Sequence, residues 1–364
     1  MYNKLSVEDI IINKREIKVK FSAKGAIAKY FNAPYSFNVA YSEDINNVPK
    51  GLAVIPFICN VLPIIWLLDA TLELPELDHD FYNHINEIKA GYIKMYPMLK
   101  FGGKINTTTT NCKQITPSCY HCDTATAMPA AAFFSGGVDA FATLIAHADE
   151  KPMLITLWGS DIKLDDTAGW AVVKEHTLQT ARQFGVKPAF IKTNFRTFIN
   201  DIELNRLVKL SGDNYWHGFQ HGIGLIGHAG PLVWREGLKR LYIASSYTAG
   251  QHVTCASDPT IDNYVKMAGC ETIHDQYEFD RQEKVDHICE YAKGLKKSQH
   301  FVCAGLHRAA ATAVNARNAC ARCLKYSLPA KIRESMDSLI RPTTYLPHAA
   351  PSYQITAVAQ CLIG

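Results

Sequence analysis

The stretch Ala131-Ala132-Phe133-Phe134-Ser135-Gly136-Gly137-Val138-Asp139 runs an apolar segment straight into a glycine turn, after which an apolar pattern resumes through Leu144. A buried strand that ends in a tight turn and opens a helix has this signature. Such a junction leaves the first N–H groups of the helix without intrahelical partners, and the helix dipole favours an anion in front of them. The stretch therefore predicts a parallel-sheet architecture with an anion site at a strand end.

The residues that follow extend the pattern. Met153–Trp158, Pro188–Thr193 and Leu241–Ser245 read as strands. Helices are expected after Val138, over Gly169–Phe184 with Gly185 as the stop, over Tyr215–His228 and over Arg281–Leu295. Alternation of this kind predicts a doubly wound α/β sheet with ligands beyond the carboxyl ends of the strands. Ser135–Asp139, Gly159-Ser160-Asp161 and Ser245-Ser246-Tyr247 would gather there.

A chain of 364 residues exceeds one ordinary core. Residues 1–101 read as an N-terminal β-rich α/β domain, with period-two alternation around Ile17–Phe21 and Tyr35–Val39, a buried strand or helix over Leu52–Asp69 and a helix over Asp80–Tyr96. Residues 102–129 form a Cys/Thr-rich linker or lid, 130–300 the second α/β domain and 301–364 a C-terminal helical segment. The 38 basic and 34 acidic residues leave a net charge of +4 with no basic run, so nucleic acid is not an expected partner. The N-terminus lacks a signal-peptide core, and Val54 to Leu68 is too short and too interrupted to span a bilayer. A cytoplasmic protein with reduced cysteines and no membrane partner is expected, so cysteine spacing reads as metal before disulfide.

Cys320 and Cys323 form a C-x2-C knuckle, with Cys303 upstream. Two thiolates at this spacing can face one tetrahedral ion, so Zn²⁺ bound by Cys303, Cys320 and Cys323 is expected. Cys112, Cys119, His121 and Cys122 offer a rival set or a missing ligand, as does His307; surface thiols are the other reading of that insert. His217 and His221, four apart, share a helix face, and His228 follows. Each is a candidate for substrate binding or proton transfer, with helix packing as the alternative. Asp139 beside an anion makes chemical sense if Mg²⁺ lies between them. Arg281 and Lys284, three apart on a helix, can face one anion.

Ser135-Gly136-Gly137-Val138-Asp139 resembles the S-G-G-x-D-S signature of the PP-loop (N-type) ATP pyrophosphatases, with Ala140 in place of the final Ser. The Lys-Ser/Thr pair of a Walker loop is absent. The cysteine knuckle is similar to that of the 7-cyano-7-deazaguanine synthase branch, with Tyr326 where a fourth Cys would fall, and Arg281–Lys284 resembles an S-R-x-E-K stretch with Asp280 replacing Ser. The resemblance implies a five-stranded parallel sheet that binds ATP with Mg²⁺. Ser135, Gly136, Gly137 and Val138 would cradle phosphate, Asp139 would hold Mg²⁺, and Asp161, Ser245 and Ser246 would complete the nucleotide site. Arg281 and Lys284 would balance the charge of departing pyrophosphate. The implied reaction is adenylation of a carboxylate or amide oxygen, followed by attack of a nitrogen nucleophile. Its partners would be a small-molecule or peptide carboxylate and an amine donor; a homodimer is one possible assembly, on which the resemblance is silent. The alternative is a nucleotide-binding subunit that no longer catalyses.

Overall fold

The computed structural model describes residues 2–109, 129–251 and 253–294. The cysteine knuckle, the thiols of the 112–122 insert, His307 and Tyr326 lie outside the described residues. The strands are β1 (Lys4–Ile12), β2 (Glu16–Lys24), β3 (Ser36–Tyr41), β4 (Thr71–Glu76), β5 (Lys104–Thr109), β6 (Ala130–Phe133), β7 (Met153–Trp158), β8 (Pro188–Thr193), β9 (Arg240–Ala244) and β10 (Glu271–Asp275). The helices are α1 (Lys50–Ala53), α2 (Ile55–Leu67), α3 (His79–Met95), α4 (Val138–Ala146), α5 (Thr167–Phe184), α6 (Asp201–Leu207), α7 (His221–Ile226), α8 (Gly230–Glu236), α9 (Pro259–Asp262) and α10 (Arg281–Gly294).

One sheet of ten strands, not five, organises the described residues, in the order β10-β9-β6-β7-β8-β3-β2-β1-β4-β5. The strands from β6 to β10 are mutually parallel. β1, β2 and β3 form an antiparallel meander, with β4 and β5 parallel to β1. The two halves meet where β3 pairs antiparallel with β8, Val39 opposite Thr193 and Tyr41 opposite Ile191. The sheet thus continues across the linker expected at 102–129, and β5 lies inside the stretch read as that linker.

Within the parallel half, β6 is central: the chain winds outward through β7 and β8, then returns to β9 and β10 on the other side. The winding reverses between β6 and β9, and the space beyond the carboxyl ends of these two strands is the usual ligand position in such sheets. The strand Ala130–Phe133 is wholly buried and leads through Phe134 and the glycine turn into α4. On one face, Phe134, Phe141, Leu144, Ala181, Val285 and Ile288 form an apolar layer from α4, α5 and α10.

The larger core covers the other face. Leu52–Asp69, open between strand and helix by sequence, is helical as α1 and α2. Nearly every residue of α2 is buried, as befits a helix apolar on all sides. Its Phe57 joins Phe21 and Phe37 of the meander and Phe198 of the parallel half, with ring centroids 5.0 to 6.1 Å apart. α5 ends as its sequence predicts, with Gly185 left-handed at φ 64°.

Phe198 links the two halves and is 2% exposed. Phe198→Ala should lower stability by about 3–5 kcal/mol. Urea unfolding should remain one transition, with tryptophan fluorescence and far-UV circular dichroism coinciding. Two separated transitions would show that the shared core does not couple the halves.

Candidate functional site

Gly136 has a φ of +76°, a conformation that L side chains rarely adopt, and a Cβ there would lie 2.8 Å from His176 Cδ2. The turn thus needs glycine on two counts. Ser135 is exposed, and its hydroxyl oxygen accepts from the Gly137 N–H at 3.3 Å. Val138 begins α4 with its side chain buried in the apolar layer, leaving its backbone to face the turn. Ala140 is 5% exposed and belongs to the same layer, so a methyl group fits the place where the signature has a hydroxyl.

Asp139 stands in the first turn of α4 and meets two cations. Arg281 Nη2 donates to its Oδ2 at 2.9 Å, and Lys284 Nζ reaches its Oδ1 at 3.4 Å. Both cations come from the first turn of α10, where their spacing of three directs them to one carboxylate. Lys284 is 1% exposed and also donates to the Ser245 carbonyl at 2.6 Å. Burial pushes its ammonium below the ordinary value, and Asp139 beside it works against that shift. Arg281 is exposed while it holds Asp139.

Asp275, at the end of β10, is a further acidic neighbour of Lys284. Its Oδ1 pairs with His147 Nε2 at 2.9 Å. Burial acts to lower His147, but Asp275 and Glu150 overcome it and raise the imidazole above its usual range. Arg281 and Lys284 face the single carboxylate of Asp139. These two side chains and the N-terminus of α4 are groups that can face an anion.

The other expected site residues divide. Ser245 is fully buried and its hydroxyl donates to the Tyr247 carbonyl, so it contributes a carbonyl to Lys284 instead of a hydroxyl to a ligand. Ser246 is exposed beyond the end of β9. Asp161 is exposed beyond β7, and its charged neighbours are Arg196 and His221. Both oxygens of Asp139 carry cations, and the described residues contain no group of three or more His, Cys, Asp or Glu able to hold a metal. This donor set does not fit a resident Mg²⁺.

The three histidines have separate roles. His228 is fully buried, with Nδ1 donating to the Gly224 carbonyl at 2.7 Å and Nε2 accepting from Thr193 Oγ1 at 2.9 Å. Its role is helix packing. His221 Nδ1 lies 3.8 Å from Cys255 Sγ, and burial pushes this imidazole down to about 4. His217 is half-buried and lies between Asp213 and Tyr247. Asp213 escaped sequence reasoning, although its four-residue step to His217 was an available signal; Tyr247 was expected beside Ser245 and Ser246 at the strand ends, but not its contact with His217.

No protein-family model matches the chain, and no curated protein or solved structure matches it. Among the described residues, no helix is long and apolar enough to cross a membrane.

Burial pushes His228 down from 6.5 to about 4. Between those values the unfolded chain takes up a proton that the folded protein refuses, so stability falls as pH drops through the window. The loss should be on the order of 3 kcal/mol. His221, lowered to the same range, adds to the slope; urea titrations at several pH values should show it, and His228→Gln should reduce it to the part that His221 leaves.

Proposed function

We propose that the glycine turn with Arg281 and Lys284 binds the phosphates of ATP, and that the protein transfers AMP to an acceptor oxygen with release of pyrophosphate. The observation that carries the proposal is the buried Lys284. An ammonium is held at the N-terminus of α4, where the winding of the sheet reverses, with an exposed Arg281 beside it. Desolvating a cation is costly, and placing it against an anion site offsets that cost. Cleavage between the α- and β-phosphates rests on the resemblance of Ser135–Asp139 to the PP-loop signature.

The chemistry then follows from the charges. A carboxylate or amide oxygen of the acceptor, a small molecule or peptide, attacks the α-phosphorus. The bond to the bridging oxygen breaks, and pyrophosphate leaves with its electron pair. Arg281 and Lys284 face the negative charge that builds on the leaving group. A nitrogen nucleophile next attacks the activated carbon and displaces AMP. Magnesium arriving with ATP belongs to the substrate. Zinc at Cys303, Cys320 and Cys323 remains part of this proposal as a structural ion.

A second reading, a nucleotide-binding subunit without turnover, is favoured by the closed ion pairs around Asp139. Two measurements separate the readings: binding of a fluorescent N-methylanthraniloyl ATP analogue, and pyrophosphate release from MgATP over a panel of carboxylic acids and amines. Arg281→Ala, a surface change, should weaken binding roughly ten- to a hundred-fold, the worth of one charge-assisted hydrogen bond. Asp139→Ala should cost stability as well, because it leaves the buried Lys284 without its carboxylate. Binding without pyrophosphate release for any pair would support the second reading. Absence of binding would overturn both.

A further inference from the structure

The loop leaving β9 also connects the site to a second group of polar residues. The Ser245 hydroxyl donates to the Tyr247 carbonyl and holds the backbone of that residue. The Tyr247 hydroxyl lies 3.0 Å from His217 Nε2. On the other edge of the ring, His217 Nδ1 lies 3.0 Å from each oxygen of Asp213. Asp213 also accepts from the Tyr96 hydroxyl at 3.0 Å, the Asn214 N–H at 2.8 Å and the Thr254 hydroxyl at 3.4 Å. A carboxylate held this way fixes the proton of His217 on Nδ1. Nε2 is then bare and accepts from Tyr247.

The local fold is shaped around this chain of hydrogen bonds. Residues Trp216–Gln220 form a π-helical turn, a feature often found where a helix must redirect a functional side chain. Gly218 in that turn has no room for a side chain, since a Cβ would press on the Tyr96 hydroxyl and lie 2.9 Å from Asp213 Oδ2. The Ala256 N–H donates to the His217 carbonyl at 2.8 Å and ties the same turn to the next loop. Tyr247 stands two residues after Ser245, whose carbonyl accepts from Lys284, so the chain of hydrogen bonds lies on the loop that also holds Lys284.

We infer that Asp213, His217 and Tyr247 form a proton relay for the nitrogen-transfer step, with the Tyr247 hydroxyl taking the proton of the incoming amine. The inference rests on the AMP-forming reading above. As the amine nitrogen bonds to the activated carbon, the bond from that carbon to the phosphate oxygen breaks, and AMP leaves with the electron pair. The nitrogen's proton passes to the Tyr247 oxygen while the tyrosine's own proton moves to His217 Nε2. The resulting imidazolium is held against Asp213, which is a positioning residue because it acts only through the ring. The proton then returns to solvent.

The titratable and charged groups facing the pair are Asp213, Tyr96, Cys255, His221 and Arg281. Burial pushes the Cys255 thiol up to about 12 and His221 down to about 4, and it raises Tyr96. None of those three changes charge in the neutral range.

The test is a single-turnover quench of the full chain with MgATP, a panel of carboxylic acids and hydroxylamine, which is uncharged throughout the neutral range. Pyrophosphate reports the first step and hydroxamate the second. Tyr247→Phe and His217→Gln should release pyrophosphate as the wild type does. They should form hydroxamate roughly 10²-fold more slowly, the usual worth of a positioned acid–base group. The rise of the second rate with pH should also disappear. Thermal melts of Tyr247→Phe separate this outcome from loss of folding. Wild-type hydroxamate rates and pH profile in Tyr247→Phe would overturn the relay, as would equal loss of both steps. Absence of pyrophosphate from the wild type with every acid would overturn the AMP-forming reading, and the relay with it.

Discussion

The arrangement around the glycine turn depends on one buried ammonium. Lys284 is nearly inaccessible, yet it touches Asp139 of α4 and the carbonyl that follows β9. An unpaired cation in that position would be strongly destabilising, so α10 can dock only where both acceptors await it. Val285, the next residue, and Ile288, one turn beyond Lys284, enter the apolar layer with Phe141 and Leu144. The same docking therefore closes the core and aims Arg281 at the glycine turn. Fold and candidate site share the contacts of Lys284.

Much of this was legible because it is local. The glycine turn, the strand before it and the helix after it are written in adjacent residues, as is the spacing that brings Arg281 and Lys284 onto one face. What escaped depends on distant partners. Glu271-Thr272-Ile273-His274-Asp275 has too little apolar character to announce a strand; it becomes β10 because β9 offers an edge, with Thr272 opposite Leu241. β5, Lys-Ile-Asn-Thr-Thr-Thr, is likewise a strand through pairing with β4. The inward turn of the Ser245 hydroxyl was hidden for the same reason, since it follows from how the loop closes over Lys284.

The histidines sharpen the point. A spacing of four predicts one shared helix face for His217 and His221, but the π-helical turn over Trp216–Gln220 comes between them, and spacing says nothing of solvent. His221 enters the interior beside Cys255, and His228 replaces water with Gly224 and Thr193. His217 is half-buried, and Tyr96, just past the end of α3, and Thr254 from a later loop converge on Asp213 and hold the carboxylate against it. Such convergence is a property of tertiary structure, and no window of sequence contains it.

The antiparallel seam between β3 and β8 has a consequence for how the chain is made. Residues 39–41 leave the ribosome long before residues 191–193, their partners in the sheet. Through that interval the N-terminal meander has an open edge of unpaired amide and carbonyl groups, which is the kind of surface that recruits strands from other chains. Only when β8 arrives does the edge close. The parallel half in turn cannot shield β8 without β3, so neither half has a finished border during synthesis. Nascent chains stalled before residue 193 should therefore be the ones that most need a chaperone.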